Sequence, residues 1–560
     1  MKPIFKPNFI QQSQLFPLDL NELIHNNHPC KLVYKIVEEL NIEDILKGYK
    51  GGGTSSYDPR MLLRILFYGY YSNIFSSRKI AKSIEENIYF MWLSGGQRPD
   101  FRTINDFRGK RLKGKIEDLF KQMTLMMMDL GLVSLEKQYI DGTKLGANAH
   151  KYSFVWKKSV ENYKAKLEEQ IASVLTDIQS VIQLDNEHQS VPETVKVDSK
   201  QLVEEMAKLN EAIKSGKLSE PLSKDQQKSL KKLENEQIPR LSDYENKLKT
   251  LGDRNSYSKT DPDATFMRMK EDHMKNGQLK PGYNVQISTE NQIITHYSIH
   301  PNPTDTLTLK QHLTSFKSTY GKQSSHIIAD AGYGSEENYQ MLENELIEFY
   351  IPYNTFRKEQ KKKFLQNPFH PQNLFYNPDL DFLVCPMGQR MEKKYIKHTK
   401  TSNGFEQQNT VYQAQNCQEC PLRSMCHKSK GNRKIEINHN LKRLKNIAKN
   451  ALLSQEGKQI YQKRCIEPEP VFGNIKHNKG RSRFTLRSKP KVNIEFGLIA
   501  MAHNLAKWVA WLIPKKLSSV LTIDYCIYTH LYSLYRQIKM KFSQLFLINT
   551  QKIRLNTIYY

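Results

Sequence analysis

His326-Ile-Ile-Ala-Asp330-Ala-Gly-Tyr-Gly334 reads as a short buried strand that stops at an acid. Ile327, Ile328 and Ala329 form an apolar run of strand length, and Gly332 and Gly334 behind it let the backbone turn sharply. A carboxylate at the exposed end of a core strand is where α/β proteins commonly place chemistry. The same residues also suit a helix start near Ser335, with Asp330 as its cap and Glu336 in the first turn. On these residues alone both readings stand, functional acid and helix cap.

The pattern recurs upstream, where Gln138-Tyr-Ile-Asp141-Gly-Thr-Lys144 is again a strand-like run ending in an acid and a glycine. Residues 283–288 and 292–299 predict a strand hairpin with Thr289-Glu-Asn291 as its loop, and residues 305–316 predict a helix. Beyond Asp330 a helix is expected over 336–345 and a strand over 347–351. Strands alternating with helices predict an α/β fold. Residues 156–251 differ in kind. Leu167, Ile171, Val174, Ile178 and Val181 recur at helical spacing, as do Leu202, Met206, Leu209 and Ile213, with charged residues between and breaks at Pro192 and over 216–221. They predict a pair or trio of long helices, an antiparallel coiled hairpin inserted into the α/β domain as a spacer without chemistry.

Toward the N-terminus, residues 31–40 predict an amphipathic helix and residues 51–56 a flexible break. Pro59 suits the first position of a helix. A second helix is expected from Ser76, with Ile80, Ala81, Ile84 and Ile88 on one face, and a third from a capping box at Thr103-Ile-Asn-Asp106. Arg60, Arg64, Arg78, Lys79, Arg102, Arg108, Lys110 and Arg111 decorate this region. Short helices with basic faces suit DNA docking, and equally an ordinary bundle with a solvated face. Toward the C-terminus, residues 492–512 predict a helix that packs on the sheet through Leu498, Ile499, Ala502, Leu505, Ala506 and Val509. Residues 513–560 are aromatic and basic, with no role assigned.

Lys and Arg number 84 against 58 Asp and Glu, a formal net charge of +26 over 560 residues, which points to a polyanionic partner, most often nucleic acid. The first residues lack the apolar core of a secretory signal. The most apolar long window, residues 494–514, is interrupted by Glu495, His503, Asn504 and Lys507 and should not span a bilayer. A cytoplasmic protein is expected. Four of the seven cysteines, Cys385, Cys417, Cys420 and Cys426, fall close together. The Cys417-x2-Cys420 spacing suits zinc, with Cys385 or His427 completing four ligands, and an iron–sulfur cluster fits such spacings too. The run Arg357-Lys-Glu-Gln-Lys-Lys-Lys363 is a basic surface segment.

Two strand-terminal acids and a third in a basic segment are what divalent-metal phosphoryl transfer requires, since hard cations such as Mg²⁺ take carboxylate oxygens. Tyr-Ile-Asp141-Gly-Thr-Lys, Ile-Ile-Ala-Asp330-Ala-Gly-Tyr-Gly and Glu469-Pro-Val-Phe-Gly-Asn-Ile-Lys476 resemble the three acidic motifs of bacterial insertion-sequence transposases of the DDE type. The third motif of that family reads Tyr-x2-Arg-x3-Glu-x6-Lys. Tyr461-x2-Arg464 and Glu469-x6-Lys476 fit it, with one extra residue between Arg464 and Glu469. Glu467 and Glu495 are the other candidates for the third acid.

The resemblance implies an RNase H-like catalytic domain over 131–156 and 255–512, with a mixed sheet. It also implies a helical DNA-binding domain over 1–130, a helical insertion over 157–254, a cysteine-cluster insertion over 380–430 and a tail over 513–560. Asp141, Asp330 and Glu469 would hold two Mg²⁺ (or Mn²⁺) ions, and Tyr461, Arg464 and Lys476 would contact DNA phosphates. Implied partners are double-stranded DNA, as inverted-repeat ends and target, and a second copy of the chain. The place implied is the bacterial cytoplasm, at the nucleoid. A nuclease that cuts without joining and an inactive DNA-binding relic are the alternatives.

Overall fold

The computed structural model describes residues 19–49, 56–179, 198–214, 223–269, 277–401 and 403–512. Residues 51–55, Val181, Pro192, 216–221 and the tail 513–560, all read above, lie outside them, as do the side chains of Ile178, Leu209 and Ile213. The chain divides into two compact units.

The first unit gathers, among the described residues, 19–40, 56–104 and 505–512. Its helices Pro29–Glu39 and Pro59–Tyr71 both carry proline in the first turn, and the Asp58 carboxylate caps the second by accepting from Arg60 N. The helix expected from Ser76 runs Ser77–Glu86 and buries Ile80 and Ile84. Ile88 does not share that face. Asn87 ends the helix and caps the next, Ile88–Leu93, so Ile88 turns toward solvent. The third cap also differs, because Asp100 rather than Thr103 starts the helix, accepting from Thr103 N at 2.8 Å.

The second unit, Asn41–Gly51 with Asn105–Asn504, holds the sheets. Its strands are β1 (Lys137–Gly146), the short pair β2 (Phe154–Trp156) and β3 (Ser256–Ser258), β4 (Thr265–Arg268), β5 (Leu279–Glu290), β6 (Ile293–His300), β7 (His326–Ile328) and β8 (Glu348–Tyr350), then β9 (Phe375–Asn377), β10 (Phe382–Val384), β11 (Arg390–Lys400), β12 (Glu406–Ala414) and β13 (Lys434–Ile437). The main sheet has the order β4-β5-β1-β7-β8, with β6 also paired to β5. β5 is antiparallel to β1, β4 and β6, while β1, β7 and β8 run parallel. The β5–β6 loop is shorter than expected. Asn291 and Gln292 alone make the turn, both at positive φ (54° and 60°), as a tight two-residue hairpin requires.

Period-2 alternation builds the core on both faces of this sheet. Ile140, Ile327 and Phe349 point to one side, against Leu309 and Leu313, Tyr339 and Leu342, and Leu444 and Ala448 of three flanking helices. Tyr139, Ile328 and Tyr350 point to the other, against Leu452 and Ile460. Helix Lys489–Leu512 buries Val492, Ile494, Phe496, Leu498 and Ile499 rather than a single stripe. A helix apolar nearly all round is one enclosed by its neighbours.

Among the described residues, 157–251 form three helices, Lys157–Gln179, Ser199–Lys214 and a third that runs unbroken from Lys224 to Leu251 through a π-helical turn at Leu233–Gln237, the trio rather than the pair of the expectation. They share a core of their own that includes Leu167, Ile171, Leu202, Met206, Leu233 and Leu241. The antiparallel pair β2–β3 closes its base. The second sheet, β13-β12-β11-β10-β9, is antiparallel throughout and carries the cysteines at one end.

Candidate active site

The parallel register sets the first two acids. Tyr139 of β1 pairs with Ile328 of β7. Asp141 and Asp330 each stand two residues further on, so both carboxylates emerge level from neighbouring strands. Asp141 is buried (7 % exposed), and its Oδ1 accepts from Gly142 N at 2.8 Å. Asp330 Oδ1 accepts from Gly332 N at 2.8 Å and caps the 3₁₀ turn Ala331–Tyr333. The helix Glu336–Asn344 has a different cap, Ser335, whose hydroxyl accepts from Asn338 N. Asp330 therefore orders its own turn without being that helix's cap.

The third acid comes from the short helix Pro468–Gly473, which packs on β1 and β5. Glu467 and Glu469 have separate fates there. Glu467 is buried (6 % exposed), and its Oε2 accepts from Gln292 N at 2.8 Å, tying the β5–β6 turn. Burial raises its pKa above the ordinary carboxylate value. Glu469 stands half-exposed, and its Oε1 lies 3.3 Å from Arg464 Nη2. Glu495 is buried against Thr485 and Leu486, accepting from both backbone N–H groups and from the Thr485 hydroxyl. Of the three candidates, Glu469 alone meets the other acids at one guanidinium.

That guanidinium is Arg464. Burial works against its charge, yet Asp141, Tyr461, Asp330 and Glu469 outweigh the burial and hold its pKa above the ordinary arginine value. Tyr461 lies against it, with its hydroxyl pKa raised by burial and Asp330 and lowered by Arg464 and by Arg357 of the basic run. Lys476 sits in the π-helical turn Asn474–Asn478, a rare geometry found mostly at functional sites.

A fourth carboxylate, absent from the sequence reading, belongs to the same neighbourhood. Asp305 Oδ1 accepts from Asn284 Nδ2 at 2.8 Å and Gln286 Nε2 at 2.9 Å. Gln286 Oε1 in turn accepts from the buried Tyr333 hydroxyl. Burial, then Asp305, Asp141 and Asp330, push the Tyr333 pKa well above its usual value, so it remains a donor. Thr306 Oγ1 ties this turn to Gly332 O at 2.7 Å. The signal for this network was two amide side chains, Asn284 and Gln286, two residues apart on a strand buried almost throughout.

Oxygen-only donors suit a hard divalent cation rather than a soft one. Among the described residues, though, no three Asp, Glu, His or Cys side chains already close on one point as metal ligands. The acids share Arg464 instead. The four cysteines stand apart from them, around a small cavity at the end of the second sheet.

Several basic residues of the N-terminal region serve the fold itself. Arg60 Nη1 donates to Val37 O, Glu38 O and Leu40 O at the end of helix Pro29–Glu39. Arg64 pairs with Glu38 and lies over the Tyr34 ring at 4.6 Å. Arg78 and Lys79 face solvent. No helix of the described residues is long and apolar enough to cross a membrane.

Two protein families match the chain. The Transposase domain (DUF772) covers residues 18–110, and the Transposase DDE domain covers residues 384–509. The second stretch holds Tyr461, Arg464, Glu469, Lys476 and the four cysteines, while Asp141 and Asp330 lie outside both. No curated protein matches the chain.

Proposed function

We propose that this chain, an insertion-sequence transposase of the DDE type by its two domain matches, binds the inverted ends of its element, cuts the DNA to free 3′-hydroxyls and joins them to a target. The observation that carries this reading is the meeting of Asp141, Asp330 and Glu469 in the field of one guanidinium, Arg464. The sheet supports an RNase H-like domain: an antiparallel hairpin edge (β6, β5) followed by three parallel strands (β1, β7, β8), with Asp330 just past the end of β7 and Asp141 midway along β1 rather than at its end. On this reading residues 131–156 and 255–512 are the catalytic domain, residues 157–254 are a helical insertion, and residues 1–130 bind DNA.

Asp141, Asp330 and Glu469 would hold Mg²⁺ or Mn²⁺, which when bound lowers the pKa of an attacking water or hydroxyl and offsets charge on the phosphate. The protein's own part is positional. The β1–β7 register levels two acids, and the short helix after Arg464 brings the third. Arg464 offsets part of the acids' charge and is placed to meet the phosphate that takes their company. Tyr461, held protonated by burial, can donate to the same phosphate, and Lys476 adds a positive charge in the π-helical turn that follows the Glu469 helix. No nucleophilic side chain is required, so no protein–DNA bond forms. The net charge of +26 suits duplex DNA, holding two element ends together favours a dimer, and the place of action is the bacterial cytoplasm.

The test is a plasmid carrying the element with its natural flanks, incubated with wild type, Asp141→Asn or Asp330→Asn. Mg²⁺-dependent nicks at the element ends with joined products, lost in both variants while DNA binding persists, support the transposase. Nicks without joined products point to a nuclease. Equal binding with no cutting by any of the three proteins points to a relic.

A further inference from the structure

Cys385, Cys417, Cys420, Cys426 and His427, none of them used by the phosphoryl-transfer site, rim a cavity of about 20 Å³ together with Arg433. That is room for about one water-sized atom. All four cysteines are free. Two tight turns and a short helical turn deliver them. In Cys385-Pro-Met-Gly388, between β10 and β11, Gly388 N donates to Cys385 O and Cys385 N to Gln389 O, both at 2.9 Å, with Gly388 at φ 80°. In Cys417-Gln-Glu-Cys420 the non-glycine Glu419 is held at φ 58°, a strained conformation that persists where the surroundings enforce it. Cys426 follows on the helical turn Arg423–Cys426, its N–H bonded to Leu422 O at 2.9 Å.

We propose that these turns form a structural zinc site, with Cys385, Cys417, Cys420 and Cys426 as thiolate ligands. Soft thiolates at knuckle spacing select zinc over the hard cation suited to the acids. A four-thiolate zinc carries two surplus negative charges, and donors to sulfur are already in place. Arg433 N lies 3.4 Å from Cys417 Sγ, and Arg433 Nη1 lies 3.0 Å from Cys426 Sγ. The thiols rim the cavity without closing on a point, so binding draws the turns together. The sheet has reason to need such a staple. Its core is small, chiefly Leu374, Leu383, Met391, Tyr412, Ala414, Cys417 and Ile435, and β11 is exposed along most of its length. Small modules with thin cores commonly rely on a metal or disulfides. His427 Nε2, buried without a hydrogen-bond partner, lines the same cavity and is the control for the fourth ligand.

The experiment is metal analysis of the full chain purified without added metal or chelator, beside Cys420→Ser, Cys426→Ser and His427→Ala. One zinc per chain is expected in wild type and His427→Ala, falling below about a tenth in each serine variant. If the serine variants do not fold, wild type still decides. A mercurial titration should release zinc in step with four reacting thiols, and chelation should lower Tm. Iron with visible absorption, no metal at all, or zinc retained in both serine variants overturns the proposal. Loss of zinc in His427→Ala alone overturns the ligand set.

Discussion

Arg464 Nη2 stands 3.3 Å from Glu469 Oε1, and the same guanidinium feels Asp141 and Asp330. Three carboxylates that bear on one guanidinium carry more charge than it offsets, an excess a divalent cation would relieve. Arg464→Ala should therefore make the fold more dependent on Mg²⁺. In thermal melts the gain in Tm on adding Mg²⁺ should be larger for the variant than for wild type. Equal gains would remove Arg464 from the acids' company.

Glu467 and Glu469 sit two residues apart and should fail in opposite ways. Glu469→Gln should lower cutting by about two orders of magnitude or more while leaving Tm near wild type, because an exposed carboxylate is lost from the site alone. Glu467→Ala strips a buried acceptor from Gln292 N, at a cost of about 1–3 kcal/mol, with the chemistry intact once the protein is folded. Cutting rates and melts on both variants decide it, and the reverse pattern would hand the third acid to Glu467.

Asp305 can be dissected by paired substitution. Asparagine keeps an oxygen for Asn284 and Gln286 but removes the charge, whereas alanine breaks the Tyr333–Gln286–Asp305 network. If Asp305 acts only by positioning, Asp305→Asn should cut nearly as well as wild type, and Asp305→Ala should lose activity and stability together. If its charge belongs to the reaction, Asp305→Asn should match Asp330→Asn in cutting rate and shift the Mg²⁺ concentration needed for half-maximal cutting.

These contrasts follow the limits of the sequence. β7 was legible because its apolar run ended at an acid, whereas β1 runs on five residues past Asp141, where Gly142, Thr143 and Lys144 hid its continuation. Asp305 was not legible, because its partners Asn284 and Gln286 come from a strand that it meets only after the sheet assembles. The second sheet escaped notice for a different reason. β11 is the stretch Arg-Met-Glu-Lys-Lys-Tyr-Ile-Lys-His-Thr-Lys, whose charges hide strand alternation because only Met391 is fully buried. The split between Glu467 and Glu469 was likewise invisible, since spacing cannot say which of two nearby acids turns inward. The long helices over 157–251 were legible from their spacing, but a coiled hairpin and a small bundle were not told apart, because heptad-like spacing serves both.

A buried histidine cluster sets an acid limit on stability. His312 shares hydrogen bonds with the Ser288 and Ser298 hydroxyls, and His300 with Ser298 and Gln311. Burial lowers His296 to about 3 and His300 to about 4, and lowers His312 well below its usual value. Folded values below unfolded ones mean that the unfolded chain binds the extra protons. Their stabilising share is thus complete above about pH 6.5 and drains as pH falls toward the folded values, at about 1.4 kcal/mol per pH unit for each histidine. Tm should hold between pH 8 and 7 and fall steeply from pH 6.5 to 5, by less in His296→Asn. A Tm flat to pH 5 would show that these rings are not buried neutral.

Gly142 follows Asp141 directly, and its lack of a side chain is what lets Asp305 approach. A Cβ on Gly142 would fall against the Gln286 amide nitrogen and 2.6 Å from Asp305 Oδ1, closer than such contacts allow. Gly142→Ala must therefore shift Gln286 and Asp305, which are hydrogen-bonded to each other, or β1 itself, at about 1–3 kcal/mol of overpacking. Displacing a catalytic acid by about 1 Å can cost on the order of 100-fold in rate. The expected outcome is a modest loss in Tm with a large loss in cutting. Gly109→Ala is the matched control: a Cβ there meets nothing within 4 Å in the helical turn Phe107–Arg111, so the change should leave cutting intact and Tm equal or slightly higher. If Gly142→Ala cuts like wild type, the first acid does not depend on the close packing of Asp305 against β1.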